Sequence, residues 1–471
     1  MIYSIEKKIN NLFGAILILS SATGWYTLDY FGMNKFWLVF ILLSAIFSFL
    51  VLKHQYVSTS KKGDYPSQGA LTASKTSPFD ILKNIFFDYK FIFFLLAYLL
   101  WITLTYFVNY TGLSTILYVG KMWFLVLIYI VLLSSYLYRC DDKEGFLTTV
   151  ASYIFVLGSI HSFIAFYQFI FLRNDIAGIV LTEWPSYNPA SLYGNVNGLG
   201  SYLFISIISG VYLFFKQNPR RNRYIFFITM QIYALYLTVA RTSIVSLIVF
   251  MALSFVFLLL IQPKALKKKL ILNNVILILI CNAMFISIIF SDEIKSTFAH
   301  NLTSSSSSGK PSEKRETSDM FKEKSDKGVN NRQFIWKQVI NDSKDYMLFG
   351  DGLKYNIVNR INVGEVISQK SIGVDRISYH NTLFRYFASN GIIGLMVFMC
   401  LIAYVPLSFI IIMIKNKKLN LSYLVLFSLM LALFAYMQME EIYIGEIGFM
   451  QLTTLAVISF GLSELPYKSN K

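Results

Sequence analysis

The sequence predicts an all-α polytopic membrane protein of about twelve transmembrane helices, with one large polar segment between the ninth and tenth. Three observations predict it. Hydrophobic residues make up 55% of the chain and charged residues only 14%, whereas soluble domains are about a quarter charged. The mean hydropathy is +0.55. The apolar residues come in runs of about 17 to 25, enough for a helix to cross a bilayer, and the basic residues fall into alternate connections between these runs.

The runs lie at about 10–27, 34–52, 91–109, 113–137, 146–172, 193–215, 222–239, 242–262, 270–290, 391–414, 419–437 and 445–462. Pro219 and Pro263 follow the sixth and eighth, as prolines often follow helix ends. Lys7 and Lys8 before the first run imitate a signal peptide. Eleven further runs make an uncleaved first span the expectation.

The even-numbered connections and both termini carry the cations. Examples are Lys61 and Lys62 in the second, Arg220 to Arg223 in the sixth, Lys267 to Lys269 in the eighth, and Lys417 and Lys418 in the tenth. The other short connections hold only Lys35, Arg173 and Arg241. Because cytoplasmic loops carry the Lys/Arg excess, both termini are expected in the cytoplasm and the long polar segment outside. The net charge of +16 therefore reports topology, and no nucleic-acid partner is expected.

This divides the chain into residues 1–290 with spans one to nine, an external segment at 291–379, and residues 380–471 with an amphipathic helix and spans ten to twelve. Residues 57–77 and 301–330, the latter containing Ser304 to Ser308, are too polar to offset their ordering entropy and read as disordered. Asn301-Leu-Thr reads as a chance glycosylation sequon. Residues 331–345 read as an amphipathic helix with Ile335, Trp336, Val339 and Ile340 on one face. It ends at the glycine turn Leu348-Phe-Gly-Asp-Gly-Leu353. A second helix starts near His380 and runs to a break at Gly391–Gly394. The two helices are expected to pair over the outer mouth of the bundle.

No metal is expected, since Cys140, Cys281 and Cys400 are far apart and the four histidines form no ligand pair. The remaining polar groups gather at the outer face. Arg241, in Thr238-Val-Ala-Arg-Thr-Ser243, sits between two apolar runs where an arginine costs roughly 2.5 to 3.5 kcal/mol. It either snorkels to the interface or offers its fork to a phosphate. Asn195 and Asn197, in Tyr193-Gly-Asn-Val-Asn-Gly-Leu-Gly200, either start a helix or cradle a sugar or phosphate. Arg332 lies one turn before Trp336. His380, next to Asn381, is either structural or a general base.

Glu440, Glu441 and Glu446, in the connection before the last span, and Glu183, in the fifth, pair with the arginines, bind acceptor hydroxyls or are simply solvated. Solvation is the leading single reading. Lys121, deep in the fourth run, is a candidate partner for a lipid phosphate, and His161 reads as a hydrogen-bonded bundle residue.

Four ordered motifs carry a resemblance: Asn195-x-Asn-Gly198; Ala240-Arg-Thr-Ser243; Asn331-Arg332 with Trp336, leading to Leu348-Phe-Gly-Asp-Gly352; and His380-Asn381-x-x-Phe384, followed by Gly391-x-x-Gly394-Leu395. With about twelve spans and the large external segment, the chain resembles the O-antigen ligase and polymerase superfamily of membrane glycosyltransferases. It departs from the pattern in its Ser-rich insertion.

The resemblance implies catalytic roles for Arg241, Arg332 and His380, no metal and no cofactor. It implies a polyprenyl-diphosphate-linked oligosaccharide donor such as an undecaprenyl diphosphate glycolipid, a glycan acceptor, and a bacterial cytoplasmic (inner) membrane location. A chain-length regulator is a candidate partner. Asn195, Asn197, Asn381, Trp336, Lys121, Glu440 and Glu441 are the candidate substrate-binding residues.

The expected reaction is polymerisation of O-antigen or capsular repeat units. The alternatives are a ligase acting on lipid A core or protein and, from another class, a transporter or flippase. Heavy Lys, Asn, Ile and Phe usage suggests an AT-rich bacterial genome, which favours polymerase slightly.

Overall fold

A computed structural model describes residues 2–22, 24–25, 36–62, 89–110, 112–171, 173–176, 178–182, 188–216, 221–261, 332–333, 335–352, 379–416, 421–442 and 447–463. The described residues are predominantly helical. In chain order the helices are α1 (Ile2–Ala22), α2 (Phe36–Lys62) and α3 (Tyr89–Val108). Next come α4 (Leu113–Arg139) with a π-helical stretch at Leu127–Leu132, and α5 (Lys143–Phe171). Then follow α6 (Val196–Lys216), α7 (Arg221–Thr238), α8 (Arg241–Ile261), α9 (Thr382–Asn416), α10 (Leu421–Met437) and α11 (Phe449–Ser463). A two-residue antiparallel ladder, Asp175–Ile176 with Ile179–Val180, adds a trace of β structure.

Six of these helices are long and apolar enough to cross a membrane, and shorter apolar helices lie within α8, α10 and α11. The chain is an integral membrane protein by this measure, with a smaller set of full-length spans among the described residues than the twelve expected. The expected span at 270–290 and the insertion at 301–330 lie outside the described residues. α1 and α7 form as helices, but α1 carries Glu6, Lys7 and Lys8, and α7 carries Arg221 and Arg223.

α1 and α2 also run well beyond their apolar stretches, because their polar ends are used inside the bundle. Buried Glu6 lies 3.1 Å from His54 Nε2, and Gln55 Nε2 donates to Ser135 Oγ at 2.8 Å.

Apolar side chains such as Phe93, Leu100, Val156 and Ile248 stay exposed on the bundle surface, as suits a lipid-facing belt. In lipid there is no hydrophobic drive between helices, so small residues and interhelical hydrogen bonds hold them together. Gln231 Nε2 on α7 donates to Ser159 Oγ on α5 (3.0 Å), and Trp123 Nε1 on α4 donates to Thr103 Oγ1 on α3 (2.9 Å). The Tyr98 and Tyr386 hydroxyls join α3 to α9 at 2.8 Å. α6 packs between α5 and α7, α8 packs on α10, and α3 packs on α9.

The 335–341 helix and the first turns of α9 form a small core of their own. Ile335, Val339, Tyr346, Tyr379 and Ala388 are buried in it, flanked by Trp336, Phe384 and Phe387. Each helix has an apolar face to cover, but Ile340, expected on that face, is 55% exposed. α9 then breaks at Gly391 (φ 67°, ψ −174°) before continuing as a span.

Candidate active site

Two of the sequence motifs meet at the start of α6. Asn195 Oδ1 accepts the Gly198 N–H at 2.7 Å and caps the helix. Two residues on, a Cβ at Gly200 would lie 2.3 Å from Ala240 Cβ and 3.2 Å from Ser243 Oγ. Only glycine lets α6 approach the 238–243 corner so closely. That corner turns α7 into α8 through Val239, held at φ 55°, a conformation rare for a β-branched residue. Thr238 Oγ1 accepts the Ala240 N–H (3.2 Å), the Arg241 N–H donates to Val239 O (3.0 Å), and Arg241 becomes the first residue of α8.

The other two motifs interlock in the same way. The turn at 347–352 lies in the break of α9. Asp351 N–H donates to Ala388 O (2.9 Å), Gly352 N–H to Ser389 O (3.0 Å) and Ile392 N–H to Met347 O (2.8 Å). Asn109 Nδ2 donates to Gly350 O (3.0 Å), Trp101 Nε1 donates to Asn390 O (2.9 Å), and the Trp101 ring stacks on Phe349 at 5.3 Å. On the preceding helix, Trp336 stacks on Phe384 at 5.5 Å and donates Nε1–H to Tyr379 O at 2.9 Å. This fixes the helix that carries Arg332 relative to the loop that carries His380.

The assembled parts converge on Glu440, whose side chain is only 13% exposed. Its Oε1 accepts from Arg332 Nη2 at 2.9 Å and from Asn197 Nδ2 at 3.4 Å, and its Oε2 lies 3.4 Å from His380 Nδ1. His380 is itself at φ 50°; such backbone strain concentrates at functional sites. Arg241 lies within electrostatic range of Arg332, and Tyr436 packs below with Ser201 and Ser243 beside its hydroxyl.

The connection bearing Glu440 is tied to the start of α9. Asn381 Nδ2 donates to Gln438 O (2.9 Å), Thr382 Oγ1 donates to Glu440 O (2.9 Å) and accepts the Ile442 N–H (2.8 Å), and Glu441 accepts the Tyr379 N–H. A base candidate, the Arg332 guanidinium and a partly buried carboxylate thus lie together, with Arg241 within electrostatic range of Arg332. With Asn197 included, the cluster draws on segments 243 residues apart in sequence.

Residues 225–399 match the family model described as O-antigen ligase. Over that stretch the chain is similar to the O-antigen ligase family. The matched stretch contains Arg241, Arg332, Trp336, His380, Asn381 and both interlocked glycine turns, and excludes Asn195, Asn197, Glu440 and Glu441. No curated protein matches the chain.

Not every sequence candidate joins this cluster. Lys121 Nζ sits 5.3 Å from the centroid of the Tyr118 ring on its own helix. Asn195 acts as a cap. Asn381 does the same, its Oδ1 accepting the Leu383 and Phe384 N–H groups at 2.8 and 3.1 Å. His161 is fully buried, with Nδ1 2.9 Å from Ser191 Oγ. Glu183 and Glu446 lie outside the described residues.

The solvated reading of the carboxylates does not describe Glu440, which is largely enclosed and paired with Arg332. Thr382 and Tyr436 are parts of the site that sequence reasoning missed. A threonine at a helix start and a tyrosine in an apolar run carry no signal by themselves. Among the described residues no three His, Cys, Asp or Glu side chains are grouped as metal ligands.

Proposed function

We propose that this protein transfers a glycan from a polyprenyl-diphosphate-linked donor to an acceptor hydroxyl at the outer membrane face, most simply by polymerising O-antigen or capsular repeat units. The observation that carries this reading is the meeting of Arg332 and His380 on Glu440, with Arg241 within electrostatic range of Arg332, within and beside the stretch that matches the O-antigen ligase family.

The two guanidinium groups bind the diphosphate and offset the charge that develops on it as the anomeric bond breaks. His380 takes the proton of the acceptor hydroxyl. The acceptor oxygen then bonds to the anomeric carbon as the carbon–oxygen bond to the diphosphate breaks with inversion, and polyprenyl diphosphate leaves. The Trp336–Tyr379 contact holds base and anion binder in register.

The description of the matched family favours a second reading, ligation of a finished chain to lipid A core or protein. One experiment separates the two. Lipid-linked and finished glycans are analysed in cells lacking the protein. Single repeat units accumulating on the lipid, with no long chains, mean polymerase. Long chains on the lipid that never reach a final acceptor mean ligase. An unchanged glycan profile refutes glycan transfer and points to transport.

A further inference from the structure

We infer that Glu440 is a positioning residue that couples donor binding to activation of His380, an inference that rests on the diphosphate reading of the site. One carboxylate serves both halves of the chemistry. Its Oε1 is held by the anion-binding Arg332 at 2.9 Å, while its Oε2 stands 3.4 Å from the base, His380 Nδ1. The first contact is a normal charge-assisted hydrogen bond, and the second is at the long limit. In this state the carboxylate belongs to the arginine.

Glu440 thereby occupies part of the place an incoming diphosphate needs. It neutralises Arg332 with the same kind of anionic oxygen that a phosphate offers, from a side chain only 13% exposed. A bound diphosphate competes for the guanidinium fork and repels the carboxylate. The partners then available to Glu440 are those already facing it, His380 Nδ1 and Asn197 Nδ2 at 3.4 Å.

Tightening on Nδ1 places the proton there and leaves Nε2 as the basic nitrogen, the arrangement a carboxylate imposes on an imidazole base. The connection carrying Glu440 is fixed to α9 through Asn381 and Thr382, so the exchange requires only side-chain rotation. The consequence is order: the base is fully oriented only after the donor has arrived, which limits idle activation of water at an empty site. Neither Glu440 nor Asn197 lies in the matched O-antigen ligase stretch, so the coupling is assigned from the geometry alone.

The test uses the full chain in detergent with farnesyl diphosphate as the diphosphate probe, together with glycan output in cells at matched expression. Glu440→Gln removes the competing charge but keeps the size of the side chain. It should bind the probe roughly two- to fivefold more tightly, the scale of one partly exposed ion pair. Its transfer should fall about 100-fold for want of an oriented base. Glu440→Asp, which keeps the charge, should bind the probe as wild type does and recover part of the transfer.

A purely structural Glu440 predicts the opposite sign in binding, because an unsupported Arg332 would hold the probe less well. Weaker or unchanged binding by Glu440→Gln overturns the coupling. Failure of the wild type to bind the probe, or binding that Arg332→Ala leaves intact, overturns instead the diphosphate reading beneath it.

Discussion

The interlock between the 347–352 turn and α9 sets a sharp expectation for Gly391→Ala. Gly391 sits at φ 67° and ψ −174°, a region that is essentially reserved for glycine and costs other residues about 1 to 3 kcal/mol. The added Cβ would stand 2.1 Å from Leu348 O, 2.3 Å from Leu348 C and 2.7 Å from Phe349 N. These are backbone atoms, so no side-chain rotation relieves the overlap. Overpacking of this kind adds about 1 to 3 kcal/mol.

The sum, roughly 2 to 6 kcal/mol, rivals the net stability of an ordinary domain. The cheapest relief is to undock the turn, losing the three backbone hydrogen bonds to Ala388, Ser389 and Met347. Gly120→Ala is the control, since a Cβ there meets nothing within 4 Å and the position is helical, where alanine is favoured over glycine by about 1 kcal/mol. Thermal unfolding of the purified protein should place Gly391→Ala several degrees below both wild type and the control, with glycan output falling in parallel. Equal midpoints and full output for Gly391→Ala would falsify the interlock.

Three other outcomes are expected. Arg241→Ala and His380→Ala should each cut glycan transfer by a factor of about 10² or more while expression and membrane insertion persist; normal product from both, read on a gel of cell-surface glycan, contradicts the mechanism. Trp336→Phe keeps the stack on Phe384 but loses the hydrogen bond to Tyr379 O, so its unfolding midpoint should drop by the equivalent of about 1 kcal/mol. Val239→Gly relieves a β-branched residue held at φ 55° but empties the place of a side chain only 3% exposed, so its unfolding midpoint should fall. Its glycan output should fall, because the corner that aims Arg241 is freed; an output above wild type would contradict that role.

Much of the scaffold was legible in the chain because membrane helices announce themselves one at a time. A run of apolar residues is a local signal, and α3 to α6 lie close to their expected places. The ends of α1 and α2 were not legible, since Glu6 and His54 look like solvent-facing residues until each has the other as a partner. Arg241 stood out as a charge in an apolar neighbourhood, and His380 stood out at a loop-to-helix junction.

Glu440 did not stand out in the same way. A glutamate in a short polar connection is indistinguishable from a solvated one until Asn197, Arg332 and His380 arrive from three other segments. The two glycine turns were visible as breaks, but their docking on one another is a long-range register that no local pattern encodes. The expectations for 270–290 and 301–330 fall outside the described residues.

Three helices begin where Glu440 sits. α6 starts beside Asn197, α8 starts at Arg241 and α9 starts just after His380. Aligned peptide dipoles give each start about half a unit of positive charge, and this charge belongs to the backbone. The pocket is therefore electropositive by topology before any arginine is counted. Attraction for an anion should then decline in steps as the arginines are removed, whereas turnover, which needs both guanidinium groups aimed, should collapse with the first.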